Sequence, residues 1–593
     1  MEVLGSELGL LTAGTGTAEP RQRVGEQQHE SHSESRRMPV DLGGPANLIT
    51  LGLIAVGLVV RALRLEDNHS LTQSEAMLAL NVHALSVAEL FTRRLDYLQG
   101  GPPGFLVTQK VMTELFGWSE FAHRLFPFVA GSVALVGMYF LARAVLAPFA
   151  TVIAVAIVSL SEPLVDWAVQ GKQYSIDVLA TIATLLIAVA VAGRSRVDVT
   201  TVAAFTAMAL VIWFSHAAVF VTVAVATVVV AGALLRRRWR HALMLAGALA
   251  VWGVSLLVLA VVHLDNLNAL QGACVGTVGD CVDVAPSEPG SPSDPGTPAF
   301  ELDDTASLRD SLGELRYVLG IPHFISRGSA DLGLFLVACA VGLFALGAWS
   351  FVRRRRYEVA AVLLLTIALQ MTAWQLGKYP MYGRTQLFLV PIFALLIAEG
   401  AWYLRNRSSR VSSSLAVGMT AAILVSLTVH TGRYVVQPPH WEDVKPGARY
   451  LSERWRPGDS VYQWYTAQYQ LRYYMECECA GEAFQASRGR GLWPYAPAAG
   501  GPPEFSPALR SVGPTFVVPR FRGRDAEPYL DDLKRFQGRA RAWFFLSSLE
   551  DDRTRAVEAR LDSLGRRVEG YEAGQGKGAV RVLLYDLSER PRT

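Results

Sequence analysis

Long apolar runs broken by short charged segments fill the chain from about Leu48 to Val429, and beyond Arg433 the pattern changes to short alternating and helical runs. A helix needs roughly 20 apolar residues to cross the hydrocarbon core, with about 17 to 25 tolerated, so about eleven transmembrane helices are predicted. They cover Leu48–Leu63, Phe126–Leu146, Phe149–Leu164, Tyr174–Ala192, Val199–Phe214, Ala217–Leu235, Ala242–Val262, Leu332–Phe351, Val359–Trp374, Leu387–Leu404 and Ser413–Val429. The fold class expected is a polytopic α-helical membrane protein with a C-terminal α/β domain. Its parts are a polar N-terminal tail over 1–46, a multi-pass domain over 47–432 with external loops 64–125 and 263–331, and a C-terminal domain over 433–593.

The C-terminal part reads as strand DSVYQWY, helix QYQLRYYM, strand PTFVVPRF, a helix near DAEPYLDDLKRF, strand RAWFFL, helix RTRAVEARLDSLG and strand AVRVLLYDL. Strands alternating with helices predict a small α/β layer fold. The sixth of these elements ends at Gly565, the residue type favoured just beyond a helix C-terminus.

Arginine placement orients the spans, because cytoplasmic loops retain excess Lys and Arg. Arg36 and Arg37, Arg143, Arg194 with Arg196, Arg236 to Arg240, Arg353 to Arg356 and Arg405 to Arg410 all fall in alternate loops on one side. The opposite, external set holds 64–125, the turns at Lys172 and His216, 263–331, the loop at Arg384 and the C-terminal domain. Such a chain is expected in the plasma (inner) membrane with its C-terminal domain extracytoplasmic. Within 263–331, PSEPGSPSDPGTP is a flexible tract, and LRDSLGELRYVLGIPHF after it has the spacing of an amphipathic surface helix.

Composition agrees: of 593 residues, 51% are hydrophobic and 18% charged, too apolar for an ordinary soluble chain. A net charge of +3, with basic residues at the ends of apolar runs, argues against a nucleic-acid partner. The first 46 residues lack the apolar segment of a secretory signal and are expected to be disordered, with Met38 as a candidate start. Cys339 lies in an apolar run as a structural thiol, Cys274 and Cys281 could form a local disulfide, and Cys477 with Cys479 has a spacing poorly suited to one.

The candidate chemistry lies in the external set. Glu75, in HSLTQSEAMLALNVHAL, starts a helix suited to lying along the membrane, where a low dielectric would raise its pKa toward that of a general base. The competing reading is a helix N-terminal glutamate capped by Ser74 or Thr72. The GGPPG turn, Gly100 to Gly104, could hold Gln99 and Asp96 near the surface. Lys172, Gln173, Tyr174 and Asp177 open the fourth span, where a cation, an amide and a phenol could meet a phosphate or sugar hydroxyls, or simply anchor the interface. Lys378, Tyr382 and Arg384 stand just outside the tenth span, and an external arginine there suits an anionic partner such as a lipid-borne phosphate, or snorkels.

The order of an acidic first loop, a QxxPPGFL-like segment, KQYSxDV at a span start and a YPxxGR-like loop resembles the GT-C glycosyltransferases, in the bacterial branch related to protein O-mannosyltransferases and lipid A aminoarabinose transferases. The likeness covers Arg61 to Ala192 well and Lys378 to Pro391 moderately. It implies transfer of a sugar from a polyprenyl-phosphate donor to a glycan, lipid or protein acceptor on the external face, with membrane lipids around both. It further implies that Glu75 is the acidic residue of the first loop, that Lys172 and Arg384 hold the phosphate, and that Gln99, Tyr174 and Tyr382 help to bind the substrates. The family usually has Asp-Glu in that loop, and here Ser74 takes the aspartate position, so Glu75 substitutes, Asp67 reaches in, or this copy is altered in activity. Cofactors stay unassigned, with a divalent cation left open. A lipid-sugar transporter or flippase and a non-catalytic envelope assembly protein are the alternatives; spans nearly free of charge speak against the first.

Overall fold

In a computed structural model of the chain, the described residues are 44–93, 95–97, 99–192, 199–273, 316–317, 320, 330–381, 383–438, 442–464, 467–477, 510–511, 516–518, 526–547, 549, 551–574 and 579–588. The tail 1–43, the Pro/Gly/Ser tract, Cys274, Cys281, Cys479, Tyr382 and nearly all of the expected amphipathic helix lie outside them. Among the described residues, Cys339 is a buried free thiol and Cys477 is disulfide-bonded.

The apolar runs form helices close to the predicted limits. Among the described residues, nine are long and apolar enough to cross a membrane, or ten if one bent pair counts as a span, and Thr201–Phe214 is a shorter apolar helix. The bent pair is the third expected span. Pro148–Ser159 and Glu162–Val169 meet at 58° instead of continuing straight. Pro163 at the start of the second piece cannot donate to the preceding turn, and its ring opposes the carbonyl four residues back. Arg61 of the first span lies beside this break, 1% exposed, and donates to Val158 O at 3.3 Å and to Gly57 O at 3.0 Å. The tenth span begins as a 3₁₀ turn, Gly383–Leu389, before the α-helix Val390–Arg405. Arg384 therefore belongs to the first turn of that span, not to the loop before it. Pro391 falls in the first turn of that α-helix, where the missing N–H has no intrahelical partner to lose. Spans Ala330–Arg353 and 383–405 pack backbone to backbone: a Cβ on Gly347 would lie 1.9 Å from Leu396 O, and one on Gly400 1.9 Å from Leu343 O.

Beyond Val436 the described residues build a six-stranded mixed sheet in the order β2-β3-β1-β4-β6-β5. Its strands are β1 Ser460–Gln463, β2 Arg510–Ser511, β3 Phe516–Val518, β4 Ala542–Ser547, β5 Arg566–Ala573 and β6 Val580–Asp586. Strand β1 lies parallel to β3 and β4, and the other pairs are antiparallel. Central β4 is buried throughout, and its period of two divides it between cores. Trp543 and Phe545 face one core, and Ala542, Phe544 and Leu546 the other, under Val557 and Leu561 of helix Asp551–Leu564. The expected α/β layers are present, with two edge strands added, β2 and β5. Edge strand β5 was not predicted because its residues are mostly exposed and charged, so it lacks the apolar alternation that marks a half-buried strand. Gly565 follows the helix as expected, but its reason is contact: a Cβ there would lie 2.2 Å from Asp586 O.

The core behind Trp543 does not end within the C-terminal part. It continues into Leu71, Ala76, Met77, Ala79 and Leu80 of the segment between the first two spans. Helix Gln73–Ala84 is apolar on nearly every side and therefore needs cover on every side. Its other face, Leu78 and Val82, packs with Leu95, Phe105 and Leu106. The expected surface-lying helix is thus an internal one, clasped between membrane helices and sheet.

Candidate active site

Local sequence sets the start of that buried helix. Thr72 caps it in a reciprocal capping box: its Oγ1 accepts from Glu75 N at 3.4 Å, and Glu75 Oε2 accepts from Thr72 N at 2.9 Å. The side chain does more than cap. Glu75 is 2% exposed, and Oε1 accepts from Gly171 N at 2.6 Å and from Arg124 Nε at 3.3 Å. Oε2 also accepts from Arg124 Nη2 at 3.4 Å and Thr72 Oγ1 at 3.1 Å. Burial alone would push this carboxyl up, but Arg124, His69 and the amides of Gly171 and Thr72 together outweigh it and hold the pKa at about 2. The elevated value expected for a general base is reversed. Burial leaves a carboxylate's pKa raised only where the cations and donors buried with it do not outweigh the desolvation.

Arg124 was not singled out from the sequence. It extends from the second span, 1% exposed, and also donates to His69 O at 2.7 Å and Ser70 O at 3.2 Å. One guanidinium thus joins the second span, the end of the first and the loop helix. Its signal in the sequence is the one Arg384 carries: an arginine at the span end opposite the arginine-rich loops runs against the positive-inside bias. Asp67 is held instead by Arg64, whose Nη1 donates to Oδ2 at 2.8 Å. Ser74 lies 3.4 Å from Thr72 Oγ1.

The amide that Glu75 accepts from belongs to Gly171, one residue before Lys172. Lys172 is buried and donates to Gln99 Oε1 at 2.8 Å. Gln99 is oriented by its own amide, which donates to Tyr97 O and to Met77 Sδ, both at 3.3 Å. Asn81, also missed, fixes the turn: its Oδ1 accepts from Asp96 N at 2.7 Å and its Nδ2 donates to Asp96 O at 3.0 Å. Two residues past Lys172, Tyr174 meets Trp167 edge to face with centroids 4.6 Å apart. The Arg384 guanidinium lies 6.0 Å from the centroid of each of those rings, and Trp167 Nε1 donates to Tyr317 Oη at 2.7 Å. A Cβ on Gly383 would lie 2.1 Å from Tyr317 Cδ1, so the glycine before Arg384 admits that ring.

The structure therefore joins Glu75 to the Gly171–Tyr174 segment, Lys172 of that segment to Gln99, and Tyr174 and Arg384 to each other over Trp167. Lys378 is exposed. Among the described residues no group of His, Cys, Asp and Glu is disposed to hold a metal ion.

Residues 100–259, which contain Lys172 and Tyr174, match the family described as dolichyl-phosphate-mannose-protein mannosyltransferase. Among solved structures, ArnT from Cupriavidus metallidurans in the apo state is 14% identical, with 91% of this chain and 98% of that one covered and a TM-score of 0.47. The same protein bound to undecaprenyl phosphate gives 14%, 91%, 98% and 0.45. The oligosaccharyltransferase AglB from Archaeoglobus fulgidus, in complex with an inhibitory peptide and a dolichol-phosphate, is 12% identical over 74% of this chain and 65% of that one, with a TM-score of 0.43. No curated protein matches by sequence. With the family match lying over the span-start motif, this multi-pass membrane protein resembles the GT-C glycosyltransferases.

Proposed function

We propose that this protein transfers a sugar from a polyprenyl-phosphate-linked donor to an envelope glycan, lipid or protein acceptor at the external face of the membrane. The observation that carries the reading is the buried Lys172 held by Gln99, next to the Tyr174, Trp167 and Arg384 group, within the stretch that matches the mannosyltransferase family. A departing polyprenyl phosphate gains negative charge as the glycosidic bond breaks. A preorganised ammonium in a water-poor site favours that charge more than the ground state, which lowers the barrier. Arg384 supplies a second cation, and the rings beside it can pack on a sugar or isoprenoid. Tyr382 remains a substrate-binding candidate on sequence grounds.

Glu75 enters this reading as an anchor. A carboxylate with a pKa of about 2 is a weak proton acceptor near neutral pH, but its charge neutralises Arg124 and its Oε1 fixes the Gly171 amide and hence Lys172. It acts through those partners as a positioning residue. The external orientation is supported by the arginine distribution and by the disulfide at Cys477, since disulfides persist outside the reducing cytosol. The domain limits 47–432 and 433–593 form part of the same proposal.

The bent pair Pro148–Ser159 and Glu162–Val169 is a feature that a lipid-sugar transporter would share. One experiment separates the readings. Purified protein in nanodiscs is given labelled polyprenyl-phosphate hexoses and pentoses with envelope extract. The proposal expects a covalent glycosylated product that Lys172→Met removes; label that crosses the bilayer without being transferred would refute it.

A further inference from the structure

We infer that the C-terminal domain is a positioning element of the membrane site: Arg472 and Tyr469 hold Tyr97, and Tyr97 holds Gln99 against Lys172. The inference rests on the donor-phosphate reading of Lys172 given above.

Tyr97 has a φ of 62°, in the left-handed region that bulky side chains rarely occupy. Such a conformation persists only where the surroundings over-determine it. Here they do so from the C-terminal side. Arg472 Nη1, on helix Gln468–Glu476, donates to Tyr97 Oη at 2.8 Å, and the Tyr97 ring meets Tyr469 edge to face at 4.9 Å. With the ring clamped, the Tyr97 carbonyl is presented to Gln99 Nε2 at 3.3 Å. An amide that spends its N–H donors on that carbonyl and on Met77 Sδ must turn its oxygen away from them, and the oxygen meets Lys172 Nζ at 2.8 Å.

A second contact ties the same domain to the same loop. Glu442 also has a positive φ, 53°, and its Oε2 accepts from Gln73 N at 2.6 Å and from Gln470 Nε2 at 2.7 Å. Its carboxylate stands at the N-terminus of the helix that carries Glu75, where the helix dipole favours it. Lys445 adds an ion pair to Glu120 at the start of the second span, 2.7 Å long, and Leu71 N donates to Tyr474 Oη at 2.7 Å. These ties flank a shared apolar core, so docking of the domain and the shape of the loop are one event. Movement of helix Gln468–Glu476 would release the Tyr97 turn and let Gln99 swing from Lys172.

The test is a double-mutant cycle on the full chain in nanodiscs with two readouts: affinity for undecaprenyl phosphate, and amide exchange over residues 95–101. Tyr97→Phe and Arg472→Met should each weaken binding about five- to tenfold, the order of one charge-assisted hydrogen bond. The double variant should be no worse than Arg472→Met alone, Arg472→Lys should recover part of the loss, and exchange over 95–101 should accelerate in step. Fully multiplicative losses, or an Arg472→Met protein unchanged in both readouts, would overturn the inference. Wild-type protein that fails to bind while exchange responds as expected would refute the donor reading of Lys172 and leave the mechanical coupling standing.

Discussion

Replacing Glu75 with glutamine keeps the shape of the side chain and removes its charge. The new amide would bring an N–H₂ group against donors that the carboxylate now accepts from: the Arg124 guanidinium, the Gly171 and Thr72 amides and the Thr72 hydroxyl. Arg124 would be left buried without its countercharge. The folded state holds the Glu75 carboxyl at about 2 against an ordinary 4.5, a difference worth about 3 kcal/mol at roughly 1.4 kcal/mol per pH unit. The cost of breaking a buried ion pair, about 3–5 kcal/mol, agrees in order of magnitude. The sign follows from the direction. A depressed folded-state value contributes stability that is complete above the unfolded pKa of 4.5 and is lost as pH falls from there through about 2. Thermal unfolding in nanodiscs should therefore show a clear loss for Glu75→Gln at pH 7, and a gap from wild type that narrows below about pH 4. In the wild type, any acidic limb of kcat/KM centred above about pH 5 must belong to another group. A variant as stable as wild type at pH 7, or a gap that does not change with pH, would refute the anchoring role. If such a stable variant had also lost all transfer, Glu75 would act directly in the chemistry.

Lys172→Met should weaken undecaprenyl phosphate binding about a hundredfold, by loss of a buried cation hydrogen-bonded by Gln99, with Lys172→Arg in between; direct binding assays decide it. Gly400→Ala should destabilise the membrane domain by about 2 kcal/mol or more, because the added Cβ meets the Leu343 carbonyl and can be relieved only by parting two helices; an unchanged melting curve would count against this packing. Asp459→Ala should cost about 2–4 kcal/mol, since it strands the Trp543 indole N–H and removes the partner of Arg541, and tryptophan fluorescence during unfolding would report it.

How much of this was legible in the sequence depends on the range of the interaction. The spans were, because crossing a bilayer depends on a contiguous apolar length, and Tyr174–Ala192 and Val199–Phe214 begin and end where that length says. Strand β4 was legible too, since RAWFFL is apolar enough to be buried on both faces, whereas β5 has exposed, charged positions and carried no such signal. Lys172, Gln99, Tyr174 and Arg384 could be named from motif order, but not their partners. The break in the third span follows from Pro163, already visible, although how the chain resolves it depends on a distant neighbour, Arg61.

Adjacent residues are enough to say that this is a multi-pass membrane protein, roughly where its helices run, and which polar residues stand at their ends. The surroundings of Glu75 come from the fold alone. Its neighbours Arg124 and Gly171 lie 49 and 96 residues away along the chain, and the C-terminal helix that helps bury its loop begins at Gln468. Apolar length and periodicity are properties of adjacent residues, and so they are written locally. The ionisation of a carboxylate depends on which charges and donors are buried with it, and folding alone brings those together.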